Sequence, residues 1–179
     1  MKPIALPQRL ATGRLVLRPP AAADAATIFR AYTQDAAVCR FMVWKPHASE
    51  AETQAFIAAC MAAWEQGASR AYVVAEVGAP DAIGMVEARL TGLTVDVGYV
   101  LARSHWGKGY MPEAVEALAA TALDRGYFRA QASCDVENLA SQRTLEKAGF
   151  AREGRLERYT VHPNISADPR PCFMYAMCR

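Results

Sequence analysis

The sequence predicts an α+β domain: a mixed, mostly antiparallel central sheet with one parallel strand pair, flanked by helices. Three observations predict it. Ala71–Val77 is β-rich and is followed by Ile83–Leu90 and Leu93–Leu101, with turn residues at Gly78–Asp81 and Thr91-Gly92. That is the pattern of three strands in an antiparallel meander. Next, a helical stripe over Met111–Arg125 separates the last of these strands from the alternating stretch Phe128–Cys134. A helix of that length permits a parallel crossover. Finally, Phe150–Val161 and Pro171–Cys178 read as a closing pair of strands.

The elements follow in order. Arg14–Arg18 is apolar between two charges and stops at Pro19-Pro20, a first strand. Ala22–Tyr32 is helix-prone. Ser49 and Glu52 form the S-x-x-E of a capping box, in which the hydroxyl accepts an early helix N–H and the carboxylate reaches back. Phe56, Ile57, Ala59, Cys60, Ala63 and Trp64 follow at helical spacing, with Gly67 as the stop. Ala71–Val77, Ile83–Leu90 and Leu93–Leu101 are the meander. Pro112 suits a first helical turn, where its missing N–H costs nothing, and the stripe Met111, Val115, Leu118, Ala119, Ala122 and Leu123 faces the core. Phe128, Ala130, Ala132 and Cys134 define the buried face of the next strand. Asn138–Ala148 is a short helix closed by Gly149, and Asn164–Arg170 is a polar loop between the last strands.

Composition narrows the function. At 179 residues, without repeat, linker or composition break, residues 1–179 form a single domain. Of the hydrophobic residues 36 are alanine, so the strongly apolar share is ordinary for a soluble protein. The longest uncharged runs fall short of the roughly 20 residues of a membrane helix. The start, Met1–Leu10, is polar and broken by Pro3 and Pro7, unlike a signal peptide. Lys plus Arg number 20 against 18 Asp plus Glu, with no basic tract, so no nucleic-acid partner and no membrane surface is expected. The five cysteines and three histidines hold no metal-ligand spacing. Reduced thiols and a cytoplasmic setting are expected, with no metal.

The most informative stretch is Trp106-Gly107-Lys108-Gly109-Tyr110, between a strand and a helix. A helix N-terminus offers unpaired N–H groups and a partial positive charge, and glycines let a ligand approach the backbone closely. The stretch is thus either a phosphate cradle or a plain glycine-containing turn. It is not the dinucleotide pattern, since Pro112 stands at the third glycine position, and no phosphate-loop or serine-hydrolase motif is present.

With Gly98–Leu101 before it and Glu113-Ala114 after it, this stretch resembles the acetyl-CoA motif of the GNAT superfamily of N-acetyltransferases. Asn138–Ser141 followed by Glu146–Phe150 is similar to that superfamily's next motif. The opening Thr12–Arg18 and the closing Met174–Met177 resemble the RimJ/RimL branch of ribosomal-protein alanine acetyltransferases. The four pieces run in one order from Thr12 to the C-terminus.

The resemblance implies acetyl-CoA as co-substrate. Backbone amides from Gly107 through Lys108, Gly109 and Tyr110 to Met111, beside Trp106, would hold the pyrophosphate. Val100 and Leu101 would pair with the pantetheine arm, and an amide there would polarise the thioester carbonyl. Asn138 would contact the arm, and Ser141 would lie near the sulfur. Two departures stand out: Ser104 replaces a frequent Gln or Arg, and Leu145 replaces a frequent Tyr acid. The proton role then passes to Ser141, to water or to nothing. Glu87 and Asp96, on strands bordering the expected cleft, are candidate bases or plain exposed carboxylates. Cys134 reads as a core residue, His105 as loop surface, and Trp44, Trp64 and Trp106 as packing.

The expected reaction is direct acetyl transfer to a primary amine, on a protein N-terminus, an amino acid or a small amine, in a ternary complex. The alternative is an inactive CoA or acyl-CoA sensor on the same fold. The segments expected to rim the cleft carry no acidic cluster, so an acceptor of at most one or two positive charges is expected. A monomer or homodimer fits equally.

Overall fold

The computed structural model of the chain describes residues 5–67 and 69–179, so the first four residues of the polar start lie outside it. One eight-stranded sheet runs in the order β1-β2-β3-β4-β5-β6-β8-β7. Its strands are β1 (Leu10–Ala11), β2 (Leu15–Arg18), β3 (Ser69–Glu76), β4 (Ala82–Thr91), β5 (Thr94–Leu101), β6 (Arg129–Asp135), β7 (Ala151–Thr160) and β8 (Arg170–Cys178). Every neighbouring pair is antiparallel except β5 and β6, which are parallel. The expected mixed sheet, its meander and its single parallel pair are therefore present.

The helices are α1 (Asp24–Ile28), α2 (Ala36–Cys39), α3 (Glu50–Gln66), α4 (Tyr110–Asp124) and α5 (Leu139–Lys147). The capping box forms at α3: Ser49 accepts from the Glu52 amide, while the Glu52 carboxylate accepts from Ala48, one residue before the cap. Gly67 ends the helix at φ 75°. α4 buries the predicted stripe together with Ala114, and joins the two parallel strands.

The two sheet faces carry separate cores. On one, α4 packs with Leu15, Leu17, Tyr72, Val86, Val95, Val97 and Ala130. On the other, Ile28, Tyr32, Val38 and Ile57 from the α1–α3 region cover Ala71, Val73 and Met85. Burying each large aliphatic side chain is worth about 1.5–3 kcal/mol, so both layers hold the sheet.

Three expectations need correction. The single helix over Ala22–Tyr32 is broken: α1 gives way to a π-helical turn at Phe29–Thr33 and then α2, capped by Asp35. Phe128 is not on the buried face of β6; it precedes the strand, is 55% exposed, and its backbone bonds to Leu93 and Arg179. Finally, the β4–β5 hairpin turns at Gly92-Leu93, one residue past the expected Thr91-Gly92, so Thr91 pairs with Thr94; the closing pair of strands is present, with β8 lying between β6 and β7.

Candidate active site

The sheet splits where its parallel pair begins to part. β5 pairs with β6 only from Thr94 to Asp96, against Arg129 to Gln131. On its other side β5 pairs with β4 all the way to Leu101. Among the described residues no strand pairs with the β6-facing side of β5 from Val97 to Leu101, so that edge keeps backbone groups free for an extended ligand.

A cleft of about 610 Å³ opens at the split. Val100, Leu101, Trp106, Gly107, Gly109, Tyr110, Met111, Asn138 and Ser141 all line it. These residues come from three separate stretches of sequence. Lys108 does not line the cleft; its carbonyl accepts a hydrogen bond from Arg14 on the opposite side of the loop.

The glycines earn their places by backbone geometry. Gly107 and Gly109 have φ of 77° and 78°, a region in which side chains with a Cβ are strained. Gly109 is the residue before α4, and no side chain caps that helix. The first amides of α4 therefore point outward without a protein partner from a cap, at the positive end of the helix dipole. Trp106 is half exposed, and its indole N–H donates to the Leu101 carbonyl at 2.8 Å. It thus fixes the end of β5 to the glycine loop as well as packing.

Across the cleft, α5 begins at Asn138. The Asn138 side-chain oxygen accepts from the Ser141 amide at 3.1 Å, a helix cap that orients the first turn. The Ser141 hydroxyl lies 2.7 Å from the Tyr99 hydroxyl, which also reaches the Ser141 carbonyl at 3.2 Å. Burial pushes the Tyr99 phenol well above its ordinary range, so it stays protonated and able to donate. Tyr99 is the residue that reading the sequence missed. Its alternation with Val97 and Leu101 marks it as core, and only the fold brings its hydroxyl to α5.

Leu145 is fully buried in the core and presents nothing to the cleft. Cys134 is buried beside Ser141, and burial pushes its thiol up to about 11, which suits packing rather than nucleophilic attack. Glu87 and Asp96 are not brought into the cleft. Both bind Arg89, Glu87 at 2.9 Å, and Asp96 lines a second, shallower cavity with Arg89, Thr91, Thr94 and Gln131.

The far wall comes from Ala37, Val38, Arg40, Phe41 and Met42. Two contacts fix it. Asp35 caps α2 and pairs with Arg103 at 3.0 Å, just ahead of the glycine loop. Asn164, in the loop between β7 and β8, donates to the carbonyls of Cys39 and Trp44. The charged residues lining the cleft are Arg40, Arg143 and Lys147; no Asp or Glu is among them. Among the described residues no group of His, Cys, Asp and Glu is placed to hold a metal ion, and no helix is long and apolar enough to cross a membrane.

Comparisons agree with this geometry. A Bacillus subtilis protein named only as the uncharacterized N-acetyltransferase YjdG is 38% identical over 84 residues, 46% of this chain and 45% of its own length. The chain thus matches less than half the length of that curated relative. Among solved structures, the microcin C7 self-immunity acetyltransferase MccE, in complex with acetyl-CoA and AMP, superposes with a TM-score of 0.84 over 94% of both chains at 21% identity. RimL, the ribosomal L7/L12 alpha-N-protein acetyltransferase in complex with coenzyme A, superposes at 0.82 over 98% of both chains at 20% identity. The family model described as an acetyltransferase (GNAT) domain matches residues 14–151, and the chain therefore belongs to the GNAT acetyltransferase family.

Proposed function

We propose that this chain acetylates a primary amine, on a peptide end, an amino acid or a small amine, while acetyl-CoA and acceptor occupy the cleft together. The carrying observation is one cleft lined at once by the glycine loop, the unpaired end of β5 and the hydroxyls of Ser141 and Tyr99. Uncapped amides at the start of α4 suit a pyrophosphate. The free edge of β5 near Val100 suits an amide-bearing arm added as a strand, with a backbone N–H available to polarise the acetyl carbonyl.

When bound, acetyl-CoA supplies an activated acetyl carbonyl and a thiolate leaving group. The chain's own groups orient the two reactants and manage protons. As the amine nitrogen bonds to the acetyl carbon, the carbon–sulfur bond breaks. Ser141, held by the Tyr99 hydroxyl, gives its hydroxyl proton to the departing sulfur and recovers one from water, so the Tyr99 phenol stays protonated. The amine's surplus proton leaves to water, because no carboxylate lines the cleft.

That last feature favours α-amines. With a pKa of about 7.7–8.0, an α-amine is roughly a third neutral at pH 7.5, whereas a lysine-type amine near 10.4 is neutral about once in a thousand. A cleft whose charges are Arg40, Arg143 and Lys147 also disfavours polycations. The RimL neighbour, an alpha-N-protein acetyltransferase by name, is consistent with this. Thiol release is measured with peptides, amino acids, polyamines and aminoglycosides at matched concentration. Peptide ends should give the highest kcat/KM, rising with pH to about 8. A polycation as best acceptor overturns the proposal.

A further inference from the structure

The opening motif Thr12–Arg18 lies far from the cleft in sequence, and no step above uses it. The structure gives its two arginines different work. Arg18 clamps Asp24 at the start of α1 through bonds of 2.6 and 2.8 Å. Arg14 reaches the glycine loop from the side away from the cleft. Its guanidinium donates to the Lys108 carbonyl at 2.9 Å and the Gly109 carbonyl at 3.2 Å. It also donates to Glu113 at 2.7 Å and lies 4.7 Å over the Tyr110 ring. Tyr110 in turn bonds Glu76 on β3. One side chain thus touches three consecutive residues of the loop, Lys108 to Tyr110.

We infer that Arg14 is a positioning residue for the phosphate-binding loop, setting both the aim of its amides and its charge. The first effect is geometric. Each peptide unit whose carbonyl is held on the Arg14 side turns the N–H of the following residue toward the other side. The bonds to the carbonyls of Lys108 and Gly109 therefore aim the amides of Gly109 and Tyr110 at the cleft. The second effect is electrostatic. Glu113, in the first turn of α4, places a negative charge beside an anion site. Thr12 and the Arg14 backbone also donate to this carboxylate, at 2.5 and 3.1 Å, and hold it on the Arg14 side. Without the guanidinium, Glu113 repels the phosphates it now helps to frame.

This inference rests on the loop being the pyrophosphate site, so the experiment separates the two ideas. Acetyl transfer is measured with acetyl-CoA and with acetyl-pantetheine, which carries the same thioester and arm but no phosphate. Wild type should prefer acetyl-CoA strongly; if it does not, the loop assignment falls and the inference with it. Arg14→Met should raise the KM for acetyl-CoA by about tenfold or more with little change in kcat. Its kcat/KM for acetyl-pantetheine should match wild type, a pattern that a general loss of structure does not produce. Arg14→Lys keeps the charge without the fork that spans two carbonyls and Glu113, and should fall between. Glu113→Gln in the Arg14→Met background should recover part of the loss by removing the repulsion. If wild type prefers acetyl-CoA and both Arg14 variants keep its full preference, Arg14 does not position the loop.

Discussion

Gly84 and Gly98 offer a paired test of how the β5 end serves the site. Neither has a positive φ, so a methyl group at either position acts by contact alone. At Gly84 the new Cβ would lie 2.4 Å from the Val100 carbonyl oxygen, where ordinary contact begins at 3.4 Å. Both groups are anchored in the β4–β5 ladder, so the strands must part by about 1 Å. Overpacking of this kind costs about 1–3 kcal/mol, partly offset by the roughly 0.4–1 kcal/mol that alanine gains over glycine in the unfolded chain. A net loss of about 1–2 kcal/mol lowers the melting temperature by about 2–8 °C in a chain this long. Because Val100 lines the cleft, a shift of about 1 Å should also cost up to 10²-fold in kcat/KM. At Gly98 the Cβ would meet the Arg89 guanidinium at 2.9 Å, the far end of a half-exposed side chain that can swing away. Gly98→Ala should therefore stay within about 0.5 kcal/mol of wild type. Thermal melts and acetyl transfer with a common acceptor compare the two. Equal stability and rates in Gly84→Ala and Gly98→Ala would refute the reasoning.

Gly109→Val should fold yet lose CoA binding, since its φ of 78° strains any side chain and turns the loop's amides from their aim; calorimetry with CoA checks this. Ser141→Ala should lower kcat by about 10²-fold or more with a nearly unchanged KM for acetyl-CoA, and Tyr99→Phe should do the same more mildly; steady-state kinetics decides. Asp135 is fully buried, and although burial alone raises its pKa, the Arg170 guanidinium and the Glu137 amide outweigh that and hold it below the usual carboxylate range. Its stabilisation is therefore present above the unfolded value near 3.9 and lost as pH falls through the lower folded value. Asp135→Asn should cost about 3 kcal/mol at neutral pH, the low end for a buried pair because Arg170 keeps Glu137, and melts below pH 4 should show a flatter acid limb than wild type.

The sheet was legible in the sequence because its signals are local. Gly92 marks a tight hairpin, though its turn is Gly92-Leu93, Gly67 and Gly149 stop helices, and the α4 stripe repeats at helical spacing. The breaks were not legible where tertiary contacts override local preference. Nothing within Ala22–Tyr32 signals a π-helical turn, since the run is alanine-rich and helix-prone throughout. Phe128 alternates in step with β6, yet the end of the chain pairs with its carbonyl and leaves the ring in solvent. The site divides the same way. The glycine loop could be read because its chemistry is contiguous, whereas Tyr99, Arg14 and the Ala37–Met42 wall reach it only through the fold.

The isolation of Glu87 and Asp96 turns on the hairpin's register. A turn at Thr91-Gly92 would have set Glu87 opposite Asp96, whereas the turn at Gly92-Leu93 pairs Thr91 with Thr94 and sets Arg89 opposite Asp96. Strand alternation then puts Glu87 on the same face as Arg89, two residues away. One cation between two carboxylates follows from this observed register, and it is what the structure contains. The same register leaves Gly98 beside Arg89, giving that side chain room to lie across the strand and reach both acids. One guanidinium between two carboxylates leaves this group a net charge of −1, yet both acids are engaged outside the cleft. On the proposed function, acceptor selection then rests on Arg40, Arg143 and Lys147 around the cleft and on the acceptor's own pKa.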